Sequence, residues 1–407
     1  MTTRRADVPD SSSGLHAIPR GVWALGVVSL FMDTSSELVH SLLPVFLVSA
    51  LGASMTSVGL IEGVAEATGL ITKIFSGTLS DYLGRRKALT VLGYGLAAVT
   101  KPLFPLAGSV GMVLAARFID RIGKGIRGAP RDALVADLSP PHLRGASFVL
   151  RQSLDTVGAF AGPVVAIVAM GLLANDIRAV FWIAVVPALM SLAVLLAFVR
   201  EPDRRAEAGP ARAPLRLADL TTLSPAYWAV VTVGAILTLA RFSEAFLILR
   251  ASGTGLAITF VPLVLVVMNV AYAASAYPAG VWSDRAGRRV VLLAGVAVLV
   301  LADVVLATAS TIWLVMVGIA LWGVHMGLTQ GLLATMVTDT APANLRGTAF
   351  GAFNLISGVA MLAASALAGL MWDRFGPTGT FATGAIISLI SLVGLACVGR
   401  QPRSESG

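Results

Sequence analysis

The stretch Gly77-Thr-Leu-Ser-Asp81-Tyr-Leu-Gly84-Arg85-Arg86 decides the architecture, because it returns as Gly280-Val-Trp-Ser-Asp284-Arg-Ala-Gly287-Arg288-Arg289. The two copies lie 203 residues apart. A second match repeats Val135-Ala-Asp137 and Leu143-Arg144-Gly145 as Val337-Thr-Asp339 and Leu345-Arg346-Gly347, at a separation of 202 residues. Two matches at almost the same offset indicate that the chain consists of two similar halves.

The composition places most of the chain in lipid. Of its 407 residues, 56% are hydrophobic and only 13% are charged, whereas soluble domains carry about 25% charged residues. The formal net charge is +8, but the basic residues fall between apolar runs, which argues against nucleic acid as a partner. The single cysteine, Cys397, excludes an internal disulfide and a cysteine-cluster metal site, and we expect neither metal nor cofactor. The polar start of the chain predicts no signal peptide.

Twelve stretches are long and apolar enough to cross a bilayer, which takes about 20 mostly apolar residues. They run over 22–49, 57–80, 87–107, 110–135, 145–172, 177–199, 225–250, 257–282, 290–309, 312–338, 347–372 and 377–399. The fourth is the least apolar and is assigned from its place between its neighbours. The predicted fold class is an all-α membrane protein with 12 transmembrane helices in two pseudo-symmetric six-helix bundles.

The repeat also predicts the domain organisation. The bundles occupy 22–199 and 223–399 and are joined by a linker, 200–222, that is rich in arginine and proline. Tails of 1–21 and 400–407 flank them. Basic residues concentrate in the tails, the linker and the turns after the second and eighth spans, so the positive-inside rule places both termini in the cytoplasm of a multi-pass inner-membrane protein. Repeats of this kind predict a substrate site near the bilayer midplane, between the halves.

The duplicated loop resembles the signature loop of the major facilitator superfamily (MFS). In the fourth span, Arg117, Gly123, Gly125 and the pattern around Asp137 and Arg144 are similar to that family as well. The resemblance covers essentially the whole chain. It implies alternating-access transport of a small molecule without catalysis, and we expect a monomer whose partners are its substrate, protons and the lipid bilayer.

The duplicated loops have two interpretations. The resemblance implies a latch between helices that breaks and reforms during transport; the alternative is a plain basic turn. The residues assigned to these gating loops are Gly77, Asp81, Gly84, Arg85, Arg86, Gly280, Asp284, Gly287 and Arg288. We predict that Asp81 and Asp284 act in gating rather than in substrate selection.

Charges inside the membrane are costly and are candidates for function. The first, second, fourth and fifth spans together carry seven basic and seven acidic residues, and the fourth span alone contributes a basic stripe on one face. Such a stripe must face a wet cavity or partner carboxylates. Either the charges form an ion-pair network that holds the helices together, or some bind an anionic substrate and a coupling proton. We assign proton coupling to Asp33, Glu37 and Asp120, with Arg117 and Arg121 as counter-charges.

Further residues are predicted to line the substrate cavity. They are Arg117, Arg121, Arg151, Asp155, Arg241, Glu244, Asn269, Tyr272, His325 and Gln330. We also expect Arg241 and Glu244 to pair across one helical turn, and His40 to respond to pH.

The direction of transport stays open at this stage. The fifth span carries Gly158-x-x-x-Gly162-Pro163, which resembles the motif of proton-coupled antiporters in the superfamily, but such spacing also packs membrane helices closely. We predict proton-coupled efflux; the alternatives are proton-coupled uptake of a small anionic metabolite and a non-transporting membrane receptor. The chain contains no nucleotide-binding loop and no nucleophile elbow, which argues against an ATP-driven pump and against an enzyme.

Overall fold

The computed structural model describes residues 17–83, 85–201, 217–342 and 345–397, and these ranges are helical, without a strand. The first half contains α1 (Arg20–Ser49), α2 (Met55–Leu83), α3 (Arg86–Thr100, continued by Leu103–Leu106), α4 (Val110–Leu138), α5 (Arg144–Leu172) and α6 (Ile177–Phe198). The second half contains α7 (Pro225–Ala240, continued by Ala245–Gly253), α8 (Leu263–Ala286), α9 (Arg288–Thr308) and α10 (Ile312–Thr340). Its last two helices, α11 and α12, are the parts of Arg346–Cys397 before and after a kink at Gly376, where φ is +69°.

The predicted fold class is confirmed. Nine helical stretches in the described ranges are long and apolar enough to cross a membrane, and one of them contains both α11 and α12. Two helices, α2 and α4, are not among the nine because they carry several charged residues. Together these segments match the twelve predicted spans. The predicted tail 400–407 lies outside the described residues, as do parts of the tail 1–21 and of the linker 200–222.

The two halves repeat each other in their helix contacts. α4 packs against α2 and α3, and α10 packs in the same way against α8 and α9. Glycines mark equivalent points: a Cβ added at Gly125 would lie 2.5 Å from Thr72 of α2, and one added at Gly327, 202 residues later, would meet Ser275 of α8. The close approach of these helices therefore depends on glycine in both halves.

The halves meet along α2 and α11. Glycines of both helices lie against backbone of the partner, as at Gly63, where an added Cβ would be 2.9 Å from Leu362 Cα. At the end of this contact the Asp373 carboxylate accepts hydrogen bonds from the backbone of Met55 and Thr56. We call the membrane face with the arginine-rich turns at 85–87 and 285–289 the basic side. Asp373 closes the halves at the opposite side.

One predicted span is wrong in its continuity. The seventh was expected as a single helix over 225–250, but α7 ends at Ala240 and restarts at Ala245. The Ser243 hydroxyl accepts from the Ala245 N–H at 3.2 Å, and the Ser243 N–H donates to the Ser365 hydroxyl at 3.2 Å. Side-chain hydroxyls thus replace the helical hydrogen bonds that the break removes.

Candidate functional site

A central cavity of about 250 Å³ lies between the two halves. The first half lines it with Glu37, His40, Glu66, Arg121 and Lys124. The second half lines it with Arg241, Phe242, Ser243, Glu244, Trp322, Met326, Gln330 and Met361. The position between the halves is the one that the repeat predicts. Of the predicted cavity residues, Arg121, Arg241, Glu244 and Gln330 lie here.

A second cavity, also about 250 Å³, lies next to it within the first half. Both cavities share Glu66, Arg121 and Lys124, and the second reaches Lys73, whose side chain is exposed. Asp33 and Asp155 face each other in its wall. We call this second cavity the basic-side cavity. Because Asp373 joins the two halves at the opposite side of the membrane, the route to the central cavity leads through the basic-side cavity.

Ion pairs hold α4 against α2 beside the cavity. Arg117 donates to Glu62, and both side chains are buried. One turn further along, Arg121 Nη2 lies 2.9 Å from Glu66 Oε1. His40 of α1 joins the network, with its Nε2 3.7 Å from Glu62 and its Nδ1 3.4 Å from Glu37. The basic stripe of α4 therefore meets both partners that the sequence predicts: carboxylates and a cavity.

Asp120 takes no part in this network. Its carboxylate accepts from Lys101 Nζ at 2.9 Å, and both side chains are buried. The same ammonium donates to the Ser36 hydroxyl at 3.1 Å. Asp120 lines neither of these two cavities and neutralises a buried lysine, and its assignment to proton coupling stays a prediction.

A second group of ion pairs lies at the basic end of α4. Arg131 Nη1 is 3.6 Å from Asp155, and Arg151 lies 3.6 Å from both Asp155 and Asp132. Arg127 stacks on the Tyr94 ring, with 4.6 Å from its Cζ to the ring centroid. Asp155 faces the basic-side cavity, whereas Arg151 is buried behind it.

Several predicted cavity residues lie elsewhere. Arg117 is buried in its pair with Glu62. His325 is buried too, and its Nδ1 lies 2.8 Å from the Gly295 carbonyl oxygen, so it fastens α10 to α9. Asn269 and Tyr272, on α8, are half-buried and do not line the central cavity. These four residues and Arg151 therefore line neither of the two cavities described above, and their assignment to the substrate cavity stays a prediction.

Three charged side chains in the central cavity stay available to a ligand. Arg241 and Glu244 lie on either side of the α7 break, and no ion pair joins them within the described part of the chain, contrary to the expected pairing. The two side chains remain within electrostatic reach of each other, but the break replaces the helical turn across which they were expected to pair. Lys124 is exposed to the cavity. The Trp322 indole nitrogen is also buried, without a hydrogen-bond partner among the described residues. The charged side chains of this wall can therefore bind groups of either charge.

Each duplicated loop carries an ion pair, but the two arginines come from neighbouring positions of the repeat, since Arg288 aligns with Arg85 rather than with Arg86. Arg86 pairs with Asp137, and Arg288 pairs with Asp339. The Arg86 backbone N–H also donates to Glu201 at 2.6 Å, which ties this loop to the segment that follows α6. Gly287 has φ +89°, a left-handed conformation that favours glycine.

The other assigned loop residues divide into two groups. Gly280, Asp284 and Arg288 line a cleft of about 280 Å³ at the basic side, and Arg85 is exposed. The surroundings of Gly77, the side chain of Asp81 and the whole of Gly84 lie outside the described residues. Their gating role stays a prediction.

The glycines of α5 lie against α1. A Cβ added at Gly162 would be 2.7 Å from the Thr34 carbonyl oxygen and 2.8 Å from Glu37 Cβ. One added at Gly158 would meet Leu30. Close helix packing is therefore a role that this motif performs here.

The comparisons with known proteins agree with this geometry. The sequence model of the Major Facilitator Superfamily matches residues 25–253 and 245–407. The chain belongs to this superfamily. An uncharacterized MFS-type transporter of Methanocaldococcus jannaschii is 31% identical over 382 residues, which cover 92% of this chain and 94% of that protein.

Two further comparisons describe the range of this MFS chain's relatives. The class C tetracycline resistance protein of Escherichia coli is 30% identical over 294 residues, covering 67% of this chain and 70% of that protein. The crystal structure of nucleoside transporter NupG superposes with a TM-score of 0.76 at 12% identity, covering 92% of this chain and 98% of that one. The likeness to NupG shows that the two proteins share a fold.

Within the described residues no group of three or more His, Cys, Asp or Glu side chains is arranged to hold a metal ion. Sequence reasoning missed Lys101, Phe242 and Asp373. Lys101 stands alone in an apolar span, which is itself a signal, because a buried lysine requires a partner.

Proposed function

We propose that this MFS transporter exports a small charged molecule across the inner membrane in exchange for protons. The observation that carries the proposal is the central cavity, where Lys124, Arg241 and Glu244 have no ion-pair partner among the described residues while the neighbouring Arg121 and Glu66 neutralise each other. Unpaired charges in a low-dielectric cavity bind complementary charges strongly. The substrate is thus polar and charged, unlike a purely lipophilic drug.

The basic side is the cytoplasmic side in this proposal. The positive-inside rule supports the assignment, because the turns with Arg85, Arg86 and Lys87 and with Arg285, Arg288 and Arg289 lie there. The cavity that opens to this side then faces the cytoplasm and loads an outgoing substrate. Reporter fusions test the orientation: a fusion after Arg205 should read cytoplasmic and one after Asp176 periplasmic, and the reverse pattern contradicts it.

Two sites in the first half suit the coupling proton. Asp33 faces Asp155 in the basic-side cavity, and two neighbouring carboxylates repel each other unless a proton is shared between them. Glu37 lies in the central cavity beside His40, with Arg121 and Lys124 in the same wall. An anionic substrate that engages Arg121 or Lys124 weakens their hold on the Glu37 carboxylate. Substrate and proton then compete for the same cations, which couples their movements.

Export is favoured over uptake by one comparison. The Escherichia coli relative that is named a tetracycline resistance protein shares 30% identity with this chain, and resistance is consistent with removal of a compound from the cell. Uptake of a small anionic metabolite by proton symport is the second candidate. It is favoured by the three cationic side chains in the central cavity, Arg121, Lys124 and Arg241.

The test of coupling uses proteoliposomes. A thermal-shift screen of purified protein first supplies a ligand. Asp33→Asn and Glu37→Gln are then compared with the wild type in gradient-driven transport and in counterflow exchange. We expect one variant to lose gradient-driven transport and to keep exchange. If both variants keep full proton-driven transport, the assignment of the proton site is wrong. Export and uptake are separated by the growth of a deletion strain on toxic compounds, since loss of an exporter increases sensitivity.

A further inference from the structure

Asp303 is a buried acid that the site described above does not use. It lies on α9, five residues before the helix ends at Thr308, which is about 7.5 Å along the axis. Its side chain is fully buried, and neither carboxylate oxygen has a hydrogen-bond partner among the described residues. It is the only ionisable residue between Val290 and Thr311. Such an acid inside a membrane helix is rare and demands an explanation.

The Asp303 carboxyl group packs against α12 at Gly384. Gly384 leaves the space: a Cβ added there would lie 2.9 Å from Asp303 Oδ2. Ser388, one turn further along α12, is the polar group beside Asp303, and its own hydroxyl is buried and unpaired in the described ranges. A protonated carboxyl can donate to a hydroxyl, whereas a carboxylate in this position lacks the charged donor that it requires.

The charged groups on the helices around α9 lie away from Asp303. On α7, Arg241 faces the central cavity, and Arg250 donates to carbonyl oxygens of Leu306 and Ala309. On α10, His325 contacts the Gly295 carbonyl oxygen, eight residues from Asp303. The remaining charges on the packed helices lie at their ends, namely Asp284 and Arg285 of α8, Asp339 of α10, and Arg346, Asp373 and Arg374 of α11; α12 contributes none between 377 and 397. Within the part of the chain that the structure describes, Asp303 therefore has no counter-charge.

Phe242 separates Asp303 from the central cavity. Its ring lines the cavity and lies 3.0 Å from the Cβ position of Gly384, the residue that touches Asp303. It belongs to an aromatic cluster, with ring centroids 5.2 Å from Trp322 and 5.5 Å from Phe381. Phe242 also sits in the break of α7, next to Arg241, where Ser243 is held by its hydrogen bonds with Ala245 and Ser365 rather than by a continuous helix.

We propose that Asp303 is a second proton-binding site, kept protonated behind Phe242 and released to the central cavity when the break in α7 moves. The ligand of the site is the proton. When the segment shifts, water and Arg241 reach the carboxyl group, and its proton leaves to water in the cavity while the guanidinium stabilises the carboxylate. The inference rests on the proposed proton coupling for its role in transport, but the binding site itself does not depend on that coupling.

Infrared difference spectroscopy tests the site without transport. The carbonyl stretch of a protonated carboxyl is expected in the wild type near neutral pH and is expected to be missing in Asp303→Asn. Asp176→Asn, which removes an exposed carboxylate, serves as the control and leaves the band in place. If the spectra of Asp303→Asn and the wild type coincide in this region, Asp303 is ionised and the proposal is overturned.

The Phe242→Ala variant tests the shield. Opening the path to water and Arg241 should make the Asp303 band disappear at a pH about one unit lower than in the wild type, a tenfold change in proton concentration. The double variant Phe242→Ala/Asp303→Asn should lack the band altogether. An unchanged midpoint in Phe242→Ala overturns the shielding role.

Transport measurements then separate this proposal from the proposed function. Asp303→Asn matches the protonated acid in size, so we expect folding and counterflow exchange to persist while gradient-driven transport falls about tenfold. Wild-type rates of gradient-driven transport in Asp303→Asn overturn its coupling role. If wild-type transport itself ignores the proton gradient, the proposed function fails, and the infrared bands still decide whether Asp303 holds a proton.

Discussion

Asp373 of α11 caps the N-terminus of α2 from the other half of the molecule, where it meets Thr56 twice. Its Oδ2 accepts from the Thr56 N–H at 2.8 Å and from the Thr56 hydroxyl at 2.6 Å, and its Oδ1 accepts from the Met55 N–H at 2.9 Å. The first N–H groups of a helix lack partners within it and attract negative charge. One side chain therefore satisfies these donors and joins the halves.

The first prediction concerns the closure at this point. Asp373→Ala removes a helix cap, which costs about 0.5–2 kcal/mol, and it does so only in the conformation in which α2 and α11 meet here. We expect the equilibrium to shift about 2- to 30-fold towards the conformation in which the two halves separate at the Asp373 side of the membrane. Spin labels attached near positions 52 and 376, in a Cys397→Ser background, should report a larger population of long distances.

The matched control for Asp373 is Asp176→Ala. Asp176 caps the N-terminus of α6 within the first half, accepting from Arg178 and Ala179. Its loss costs a similar amount of helix stability but should leave the distance distribution unchanged. Equal shifts in both variants would mean that the effect comes from helix stability rather than from the joint between halves.

The second prediction concerns the buried pair of Arg117 and Glu62. Removing one partner leaves an uncompensated buried charge, which costs about 3–5 kcal/mol. Glu62→Gln should therefore lower the melting temperature of the purified protein strongly. The pair is incompletely satisfied, because Glu62 Oε1 and Arg117 Nε have no hydrogen-bond partner in the described ranges. The double variant Glu62→Leu/Arg117→Met should recover most of the stability; a double variant as unstable as the single one would contradict this account.

The architecture could be predicted from the sequence because its signals are strong and local. Twelve apolar runs near the length of a bilayer span and a loop repeated at one offset leave few alternatives to two six-helix halves. The charged residues of the first half also predicted that the basic stripe would meet carboxylates or a wet cavity, since a basic stripe in lipid requires one or the other. The partners were not predictable, because Arg117 could reach any acid on a neighbouring face.

Other features depend on tertiary contacts that the sequence does not display. The break in α7 is stabilised by Ser365, 122 residues after Ser243, so no local pattern predicts it. Asp120 forms an ion pair with Lys101, 19 residues before it in the sequence, and does not line the cavity. Asp303 is visible in the sequence as a lone acid in an apolar span, but its isolation becomes evident only when α12 is seen to offer nothing more than Gly384 and Ser388.

The third prediction compares the ion pairs that the two loops form. The side chains of Arg86 and Asp137 are 11% and 10% exposed, whereas those of Arg288 and Asp339 are 40% and 52% exposed. Breaking a buried pair costs about 3–5 kcal/mol, but an exposed pair contributes only about 0–1 kcal/mol. Asp137→Asn should thus lower the melting temperature clearly and Asp339→Asn hardly at all. Addition of salt should reduce only the contribution of Asp339. Equal losses would mean that sequence symmetry, rather than burial, determines the strength of these pairs.

The fourth prediction concerns Gly162, where α5 meets α1. An added Cβ would lie 2.8 Å from both Glu37 Cβ and the Leu38 nitrogen, distances that force the helices apart. Gly162→Ala should therefore destabilise the protein by about 1–3 kcal/mol, the range for overpacked sites, and displace Glu37 from its place beside His40. The melting temperature measures the first effect, and the pH dependence of ligand binding measures the second. Gly145→Ala, on the same helix with nothing within 4 Å of the added Cβ, should leave both unchanged. A Gly162→Ala variant with wild-type stability would show that α1 and α5 can separate at no cost, which this packing does not allow.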